Sequence, residues 1–257
     1  MSNIIKLKMA FSGLLWLLRL NSVRRMAKKY IRTPELVPDF ERYRKILRLS
    51  KKVLKLYNID ITINGIDNLP KNGSVLLTPN HKSYTDVLAI IVALEKKEHQ
   101  ENIEQKIPTF VAKKDLEKGF LKNALKLLDS YSIDPNDFRN SFKVLNDFAE
   151  FVKKNKTYGV VFPEAHRIKT KELGEFTSGA FKIATQSYLP IVPVAIKWSL
   201  GSFKTNKKSR SKVTISFLPM LKANDIITQE PSAIAKRVKT LIENELSRLD
   251  VENINKG

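Results

Sequence analysis

The sequence predicts an α/β fold: a mixed, largely parallel central sheet flanked by helices, with an N-terminal basic two-helix appendage that associates with membranes. Short apolar or alternating runs recur from residue 59 onward, and stretches of helical periodicity separate most of them, which predicts the sheet. Residues 1–56 carry 15 Lys and Arg against 3 acids, a net charge of +12 within a total of +20, which predicts the appendage. We therefore place the appendage in residues 1–56 and the α/β domain in residues 57–257.

The first 56 residues are expected to form two helices. An uncharged apolar run covers residues 9–18, and a second basic helix is expected at about 39–57, after the breaks at Pro34 and Pro38. The apolar run has ten residues, whereas a helix that spans a membrane needs roughly 20. Arg19 interrupts the apolar region and no small-residue cleavage site follows, so we expect neither a membrane span nor a signal peptide.

The apolar run of the first helix fits a helix that lies in the membrane interface, because Trp beside leucines and flanking cations is typical of such helices. The residues expected to enter the acyl boundary are Phe11, Leu14, Leu15, Trp16, Leu17 and Leu18. The other interpretation is that this face packs on the α/β domain. From the first interpretation we expect a peripheral or monotopic protein at the cytoplasmic face of the cell membrane, with the lipid bilayer as a partner.

The α/β domain begins where the pattern of periodicity changes. Strands are expected at residues 59–66, 74–78, 109–112, 131–133, 158–162, 191–197 and 212–218. Helices are expected between them or after them, at residues 83–96, 119–129, 138–154, 178–188 and 232–249. This alternation predicts a sheet that is covered by helices on both faces.

Composition excludes several classes of protein. The chain has no cysteine, which rules out disulfides, thiolate metal sites and a cysteine nucleophile, and fits a reducing compartment. Its three histidines stand in scattered contexts, so no metal site is expected. The net charge of +20 suggests nucleic acid or an anionic membrane as a partner. The cations flank a Leu-Trp-Leu segment and no nucleic-acid module is evident, so we expect no nucleic-acid partner.

The segment with the most chemical information follows the strand expected at 74–78, and residues 80–86 read Asn-His-Lys-Ser-Tyr-Thr-Asp. His81 ends a buried strand, and Asp86 falls on the first turn of the next helix. Histidine can take a proton near neutral pH, and a nearby carboxylate can fix its tautomer. The spacing also has a purely local interpretation, because Ser83 and Asp86 match the S-x-x-D capping box.

A second polar segment leaves the strand expected at 158–162 and reads Phe-Pro-Glu-Ala-His-Arg at residues 162–167. Arg167 suits a phosphate monoester, because a guanidinium can bind two oxygens at once. Glu164 could accept a hydrogen bond from a substrate hydroxyl or brace Arg167. Ligands collect at the carboxyl ends of strands in such sheets, and both His81 and Glu164 are expected at these ends.

Four blocks in this order resemble the glycerolipid acyltransferase family over roughly residues 59–220. The family's N-H-x-x-x-x-D, A-K-K-E-L, F-P-E-G-T-R and V-P-V-A blocks correspond here to residues 80–86, 112–116, 162–167 and 192–195. The resemblance implies that His81 is the general base and that Asp86 orients it. It also implies that Glu164, Arg167 and Lys113 hold the phosphate of the acceptor. It implies no cofactor, with acyl-CoA or acyl carrier protein as the donor.

The resemblance further implies a reaction: transfer of the acyl chain to the free sn-2 hydroxyl of 1-acyl-sn-glycerol-3-phosphate, which makes phosphatidic acid for phospholipid synthesis. Two departures from the family pattern concern the acceptor side. Ala165 and His166 stand where the family has Gly and Thr, and Pro135 stands where it has Arg. His166 is a candidate headgroup contact or an ordinary loop histidine. Another phosphate-bearing acceptor (glycerol 3-phosphate or another lysophospholipid) and a catalytically impaired, lipid-binding homologue therefore remain as alternatives.

Overall fold

The structure is a computed structural model that describes residues 12–96, 105–205, 207 and 209–254, without the side chain of Phe138. Its helices are α1 (Gly13–Arg32), α2 (Asp39–Leu56), α3 (Tyr84–Ala93), α4 (Leu121–Leu127), α5 (Phe138–Lys154), α6 (Gly179–Gln186), α7 (Ala223–Ile226) and α8 (Pro231–Ile254). Its strands are β1 (Ile59–Asn64), β2 (Val75–Pro79), β3 (Pro108–Lys113), β4 (Tyr131–Ile133), β5 (Tyr158–Val160), β6 (Ile191–Lys197) and β7 (Ser211–Phe217).

These strands form a single sheet in the order β1-β7-β6-β2-β5-β3-β4. All neighbouring strands are parallel except β6 and β7, which pair antiparallel. The fold class expected from the sequence, a mixed and largely parallel sheet flanked by helices, is confirmed. Because β2, β5, β3 and β6 run in one direction, their carboxyl ends meet at one edge of the sheet.

Helices cover both faces of the sheet. Successive side chains of a strand point to opposite faces, so one strand contributes to the core on each side. On β2, Val75 and Leu77 pack with buried residues of α1, α2 and α3, whereas Leu76 packs with buried residues of α5, α6 and α8. All five residues of β2 are buried, as a central strand covered on both faces requires.

Helices α1 and α2 contribute to the same core as the sheet. Val23 of α1 and Ile46 of α2 are buried within the first of these two clusters. The Tyr43 hydroxyl donates to the carbonyl oxygen of Ile91 at 2.8 Å, which ties α2 to α3. A domain boundary at residue 57 and a membrane role for these helices remain predictions. Within the described residues, no helix is both long enough and apolar enough to cross a membrane.

The element bounds differ from the sequence prediction in a few places. Strand β1 ends at Asn64, because Gly65 takes a left-handed φ of +64° and a Cβ there would lie 2.2 Å from the carbonyl oxygen of Phe217. Helix α8 extends to Ile254 instead of residue 249, and an ion pair joins Arg248 to Glu252 of the added turn. The short helix α7 was not anticipated.

Candidate active site

Asn80 fixes the end of β2 to β6. Its side-chain nitrogen donates to the carbonyl oxygen of Ile196 at 3.1 Å, and its side-chain oxygen accepts the Ile196 N–H at 2.7 Å. Asn80 is 1% exposed, so both bonds are shielded from water. The side-chain amide of Asn80 thus satisfies the backbone N–H and C=O of Ile196, which have no β2 backbone partner beyond the end of that strand. The chain therefore leaves the sheet at a defined point, and His81 is the next residue.

The side chains of His81 and Asp86 form a hydrogen-bonded pair. His81 Nδ1 lies 2.9 Å from Asp86 Oδ2, and the Asp86 side chain is completely buried. Oδ2 of Asp86 also accepts the backbone N–H groups of Lys82 at 2.6 Å and Ser83 at 2.8 Å. A carboxylate surrounded by donors in this way accepts a proton-bearing Nδ1, which leaves the lone pair of His81 on Nε2. This nitrogen makes no hydrogen bond to any described residue, so it can serve as a base.

The local interpretation of this spacing also holds. Ser83 and Asp86 form the capping box at the start of α3, and the same Asp86 carboxylate orients His81. The N–H groups of Lys82, Ser83, Thr85 and Asp86 all bond to acceptors within residues 83–86. Those four N–H groups are therefore not available in this structure to stabilise the oxyanion that forms when a hydroxyl attacks a carbonyl carbon.

The ring of His81 packs on Phe162, which follows β5. The ring centroids lie 4.0 Å apart and the planes are inclined by 29°. Since β5 is the parallel neighbour of β2, the two polar segments identified in the sequence meet at this edge of the sheet. Stacking restricts the rotation of the imidazole, and the Asp86 bond sets its tilt.

Glu164 joins the two segments through its carboxylate. Oε2 accepts the His81 backbone N–H at 2.5 Å, and Oε1 accepts the Gly174 N–H at 2.8 Å. The side chain is completely buried, so its described contacts are with the protein. The predicted contact of Glu164 with the acceptor remains a prediction.

Arg167 and His166 are exposed beside this pair. The Arg167 guanidinium lies over the ring of Tyr84, with Cζ 3.9 Å from the ring centroid. Tyr84 is the first residue of α3, so this contact brings the cation next to the turn that carries His81. The backbone N–H of His166 donates to the carbonyl oxygen of Glu164 at 2.7 Å, which closes a tight turn at Ala165.

Lys113 lies farther along the same edge. It ends β3, whose pairing partner β5 separates it from β2. Its side chain is exposed and makes no hydrogen bond or ion pair with a described residue. The structure thus brings His81, Asp86, Glu164 and Arg167 together. Lys113 lies at the end of β3, on the side of β5 away from β2.

Two residues that the sequence interpretation did not single out also lie at the site. Tyr84 supports Arg167, and Lys82 places its ammonium 3.9 Å from Glu164 Oε1. Both lie inside the 80–86 segment, but neither residue type at its position carries a recognisable signal. The described residues contain no group of His, Cys, Asp or Glu with the arrangement of a metal site.

Comparisons with known proteins show the family to which the chain belongs. Residues 60–197 match the family model described as Acyltransferase. A protein of Mycoplasma pneumoniae named probable 1-acyl-sn-glycerol-3-phosphate acyltransferase is 34% identical over 182 residues, which cover 71% of this chain and 66% of that protein. The 1-acyl-sn-glycerol-3-phosphate acyltransferase of Saccharomyces cerevisiae is 29% identical over 203 residues, which cover 77% of this chain and 63% of that one. This chain therefore covers just under two thirds of either relative.

The fold has a counterpart among solved structures. The crystal structure of the 1-acyl-sn-glycerophosphate (LPA) acyltransferase of Thermotoga maritima superposes with a TM-score of 0.65 at 19% identity, covering 91% of this chain and 95% of that one. The matched family region begins in β1 and ends with β6, and it includes both polar segments of the site. On the extent of this match, the chain belongs to the acyltransferase family.

Proposed function

We propose that this protein transfers an acyl chain from a thioester donor to the free sn-2 hydroxyl of 1-acyl-sn-glycerol-3-phosphate and so makes phosphatidic acid. The observation that carries the proposal is the His81–Asp86 hydrogen bond, which leaves His81 Nε2 without a hydrogen bond to a described residue in the turn where Tyr84 holds the exposed Arg167. A base next to a cation that can bind a phosphate suits an acceptor that carries a hydroxyl and a phosphate on one small backbone. The names of the relatives support the same acceptor.

The proposed step uses His81 first as a base and then as an acid. Nε2 removes the proton of the sn-2 hydroxyl as its oxygen attacks the thioester carbonyl carbon. The resulting imidazolium is stabilised by Asp86, which stays ionised. When the carbon–sulfur bond breaks, the imidazolium returns the proton to the leaving thiolate, and His81 is neutral again. The substrate supplies the nucleophile, so the chain needs no nucleophilic side chain of its own.

On the acceptor side we propose that Arg167 and Lys113 bind the phosphate and that His166 contacts the headgroup. Arg167 is exposed, and its contact with Tyr84 already restricts its side chain. Binding of a phosphate by Arg167 therefore costs little side-chain entropy. Glu164 acts by holding the two segments together, since both its oxygens accept backbone N–H groups. We propose either acyl-CoA or acyl carrier protein as the carrier of the donor thioester, with no cofactor.

We further propose peripheral association with the cytoplasmic face of the cell membrane through α1. Leu14, Leu15, Leu17 and Leu18 of α1 are 72%, 53%, 65% and 54% exposed, which leaves an apolar surface uncovered. Trp16 is half-buried, with the Arg19 guanidinium 5.0 Å from its ring centroid, and Phe11 lies outside the described residues. An apolar helix face with flanking cations is the composition of an interfacial helix.

The test of the proposed reaction is an acyl-transfer assay with purified protein. Lysophosphatidate, glycerol 3-phosphate and a lysophospholipid with a larger headgroup are offered in turn, each with acyl-CoA and with acyl carrier protein. Phosphatidic acid formation that is fastest with lysophosphatidate supports the proposal. Faster acylation of another phosphate-bearing acceptor would instead favour the alternative that the Ala165, His166 and Pro135 departures suggest. Absence of transfer to every acceptor would refute the proposed activity.

A further inference from the structure

Lys82 is a cation in the turn that carries the base, and little of its side chain is exposed. Its side chain is 6% exposed, and its ammonium donates to the carbonyl oxygen of Glu172 while lying 3.9 Å from Glu164 Oε1. Burial lowers the pKa of Lys82 from its ordinary value, and the negative charges of Glu164, Asp86 and Glu172 oppose that effect. A lysine next to the catalytic histidine would ordinarily extend into solvent, so its burial needs a reason.

Glu164 supplies one part of that reason. Its carboxylate is completely buried. Among the described residues, Lys82 provides the cation that lies within ion-pair distance of this carboxylate. A buried carboxylate is costly to leave ionised without a counter-charge. Its ionised form is needed here, because both its oxygens accept backbone N–H groups, from His81 and from Gly174. Lys82 thus stabilises the charge on which those two bonds depend.

The chain after Glu164 supplies the second part. We call residues 165–174 the return segment, because they leave β5 and come back to the 80–86 turn. The Ile168 N–H donates to the carbonyl oxygen of His81 at 2.9 Å, and Lys82 holds the far end of the segment at Glu172. Gly174 closes it tightly, since a Cβ there would lie 2.6 Å from Cδ1 of Ile168. The exposed Arg167 lies between these attachment points.

We propose that Lys82 is a positioning residue for the acceptor side of the site. Its ammonium neutralises Glu164 and bonds Glu172, and together these contacts hold the return segment, with Arg167, in register with His81. Lys82 acts through Glu164 and the segment and does not touch the reacting atoms. The inference rests on the proposed function only in assigning Arg167 to the acceptor.

The first test separates the effects on the two substrates. In Lys82→Met, the acceptor KM should rise by about tenfold or more, while the donor KM changes by less than about twofold, because Arg167 loses its fixed position. Lys236→Met, which changes an exposed lysine of α8, is the matched control and should leave both constants unchanged. Equal changes in both KM values, or a change confined to the donor, would overturn the assignment.

The second test does not depend on activity. Trypsin cleaves after exposed lysines and arginines, and the return segment offers Arg167, Lys169 and Lys171. Cleavage there, measured by mass spectrometry, should be several-fold faster in Lys82→Met than in the wild type or in Lys236→Met. If the segment is cleaved at the wild-type rate in a folded Lys82→Met protein, Lys82 does not hold it.

A third variant covers the case in which Lys82→Met does not fold. Glu164→Gln removes the charge that Lys82 neutralises and also one of the two N–H acceptors, because a glutamine NH2 cannot accept a hydrogen bond. The double variant Lys82→Met/Glu164→Gln loses the same acceptor but contains no unpaired carboxylate at this place, so the loss of the acceptor cancels in the comparison. If the two residues act together, the double variant should be cleaved at least about threefold more slowly than the product of the two single effects predicts, or should fold where Lys82→Met does not. If the cleavage rates of the two single variants multiply strictly in the double variant, Lys82 and Glu164 do not act as a pair.

A wild-type protein without any acyl-transfer activity would refute the proposed function, but the proteolysis experiments would still decide the role of Lys82.

Discussion

The backbone N–H of His81 donates a 2.5 Å hydrogen bond to the carboxylate of Glu164, a residue 83 positions later in the chain. This bond connects the two polar segments that separate strands contribute to the edge of the sheet. The second oxygen of the same buried carboxylate accepts the Gly174 N–H, so Glu164 ties both segments together through backbone groups. Nε2 of His81 makes no hydrogen bond to a described residue, and Arg167 lies over the ring of Tyr84, three positions along the chain from His81.

Replacement of His81 by Ala should abolish transfer and leave the fold intact. Loss of a general base costs about 100- to 10,000-fold in kcat, and no other described residue at the site is placed to take the proton. His166→Ala removes the other histidine near the site and should keep kcat while it affects acceptor KM. The measurement is kcat with both substrates saturating, together with circular dichroism to confirm folding. Near-wild-type turnover of His81→Ala would show that another group is the base.

Replacement of Arg167 by Ala should weaken binding of the acceptor. A lost charge-assisted phosphate contact is worth about 1.5–3 kcal/mol, which raises acceptor KM by about 10- to 150-fold. The acceptor KM of Arg167→Lys should lie between that of the wild type and that of Arg167→Ala, because an ammonium keeps the charge but cannot bind two oxygens in one plane. Lys169→Ala, an exposed cation on the same segment, is the matched control and should behave like the wild type. An effect seen only on donor KM would assign Arg167 to the other substrate.

Replacement of Ala165 by Gly should stabilise the protein. Ala165 has a φ of +58°, a left-handed conformation that costs a residue with a Cβ about 1–2 kcal/mol. Glycine avoids that cost but loses more chain entropy, so the free energy of unfolding should rise by about 0.5–1 kcal/mol in urea titrations. Ala233→Gly, at an exposed position of α8, should lower it. A decrease with Ala165→Gly would mean that the methyl group makes a stabilising contact.

Stability should fall in alkaline solution, in part because of Tyr30. Its hydroxyl donates to Asp129 at 2.6 Å, and burial followed by that bond raises the pKa of Tyr30 to about 12. A tyrosine in the unfolded chain loses its proton near pH 10, so the free energy of unfolding falls as pH rises from about 10 to 12. Tyr30→Phe should reduce this slope. A residual slope is expected, because burial also raises the pKa of Tyr43 and Tyr131. An unchanged slope would contradict the Tyr30 assignment.

Binding to anionic vesicles should depend on the exposed leucines of α1. Leu14→Ser/Leu17→Ser removes two apolar side chains and should weaken binding by about tenfold or more, as cosedimentation measures. Val251→Ser/Ile254→Ser is the matched control, because those residues are 58% and 76% exposed on α8. Salt should weaken the wild-type interaction only partly, since it screens the cations and not the apolar burial. If the α1 variant binds like the control, or if duplex DNA displaces the protein at physiological salt, the membrane interpretation is wrong.

Much of the fold could be predicted from local patterns. The apolar runs at β2 and β6 placed those strands within one residue of their observed bounds, because a central strand covered on both faces buries nearly every side chain. Helix α7 was missed, since four residues are too few to show a helical period. The antiparallel pairing of β6 and β7 could not be read from either strand, because pairing direction depends on the course of the connection between them.

The sequence by itself predicted that His81 ends a strand and that Asp86 lies on the first turn of the next helix, because the apolar run and the S-x-x-D pattern are local signals. It left open whether the leucines of α1 pack on the domain, and the structure leaves Leu14, Leu15, Leu17 and Leu18 exposed. Only the tertiary structure decided that β5 lies beside β2, and with it that Glu164 bonds to the backbone of His81 and that Lys82 is buried against Glu164. These contacts join residues more than 80 positions apart, and the order of strands in a sheet is set by the packing of the whole core, which no local spacing records.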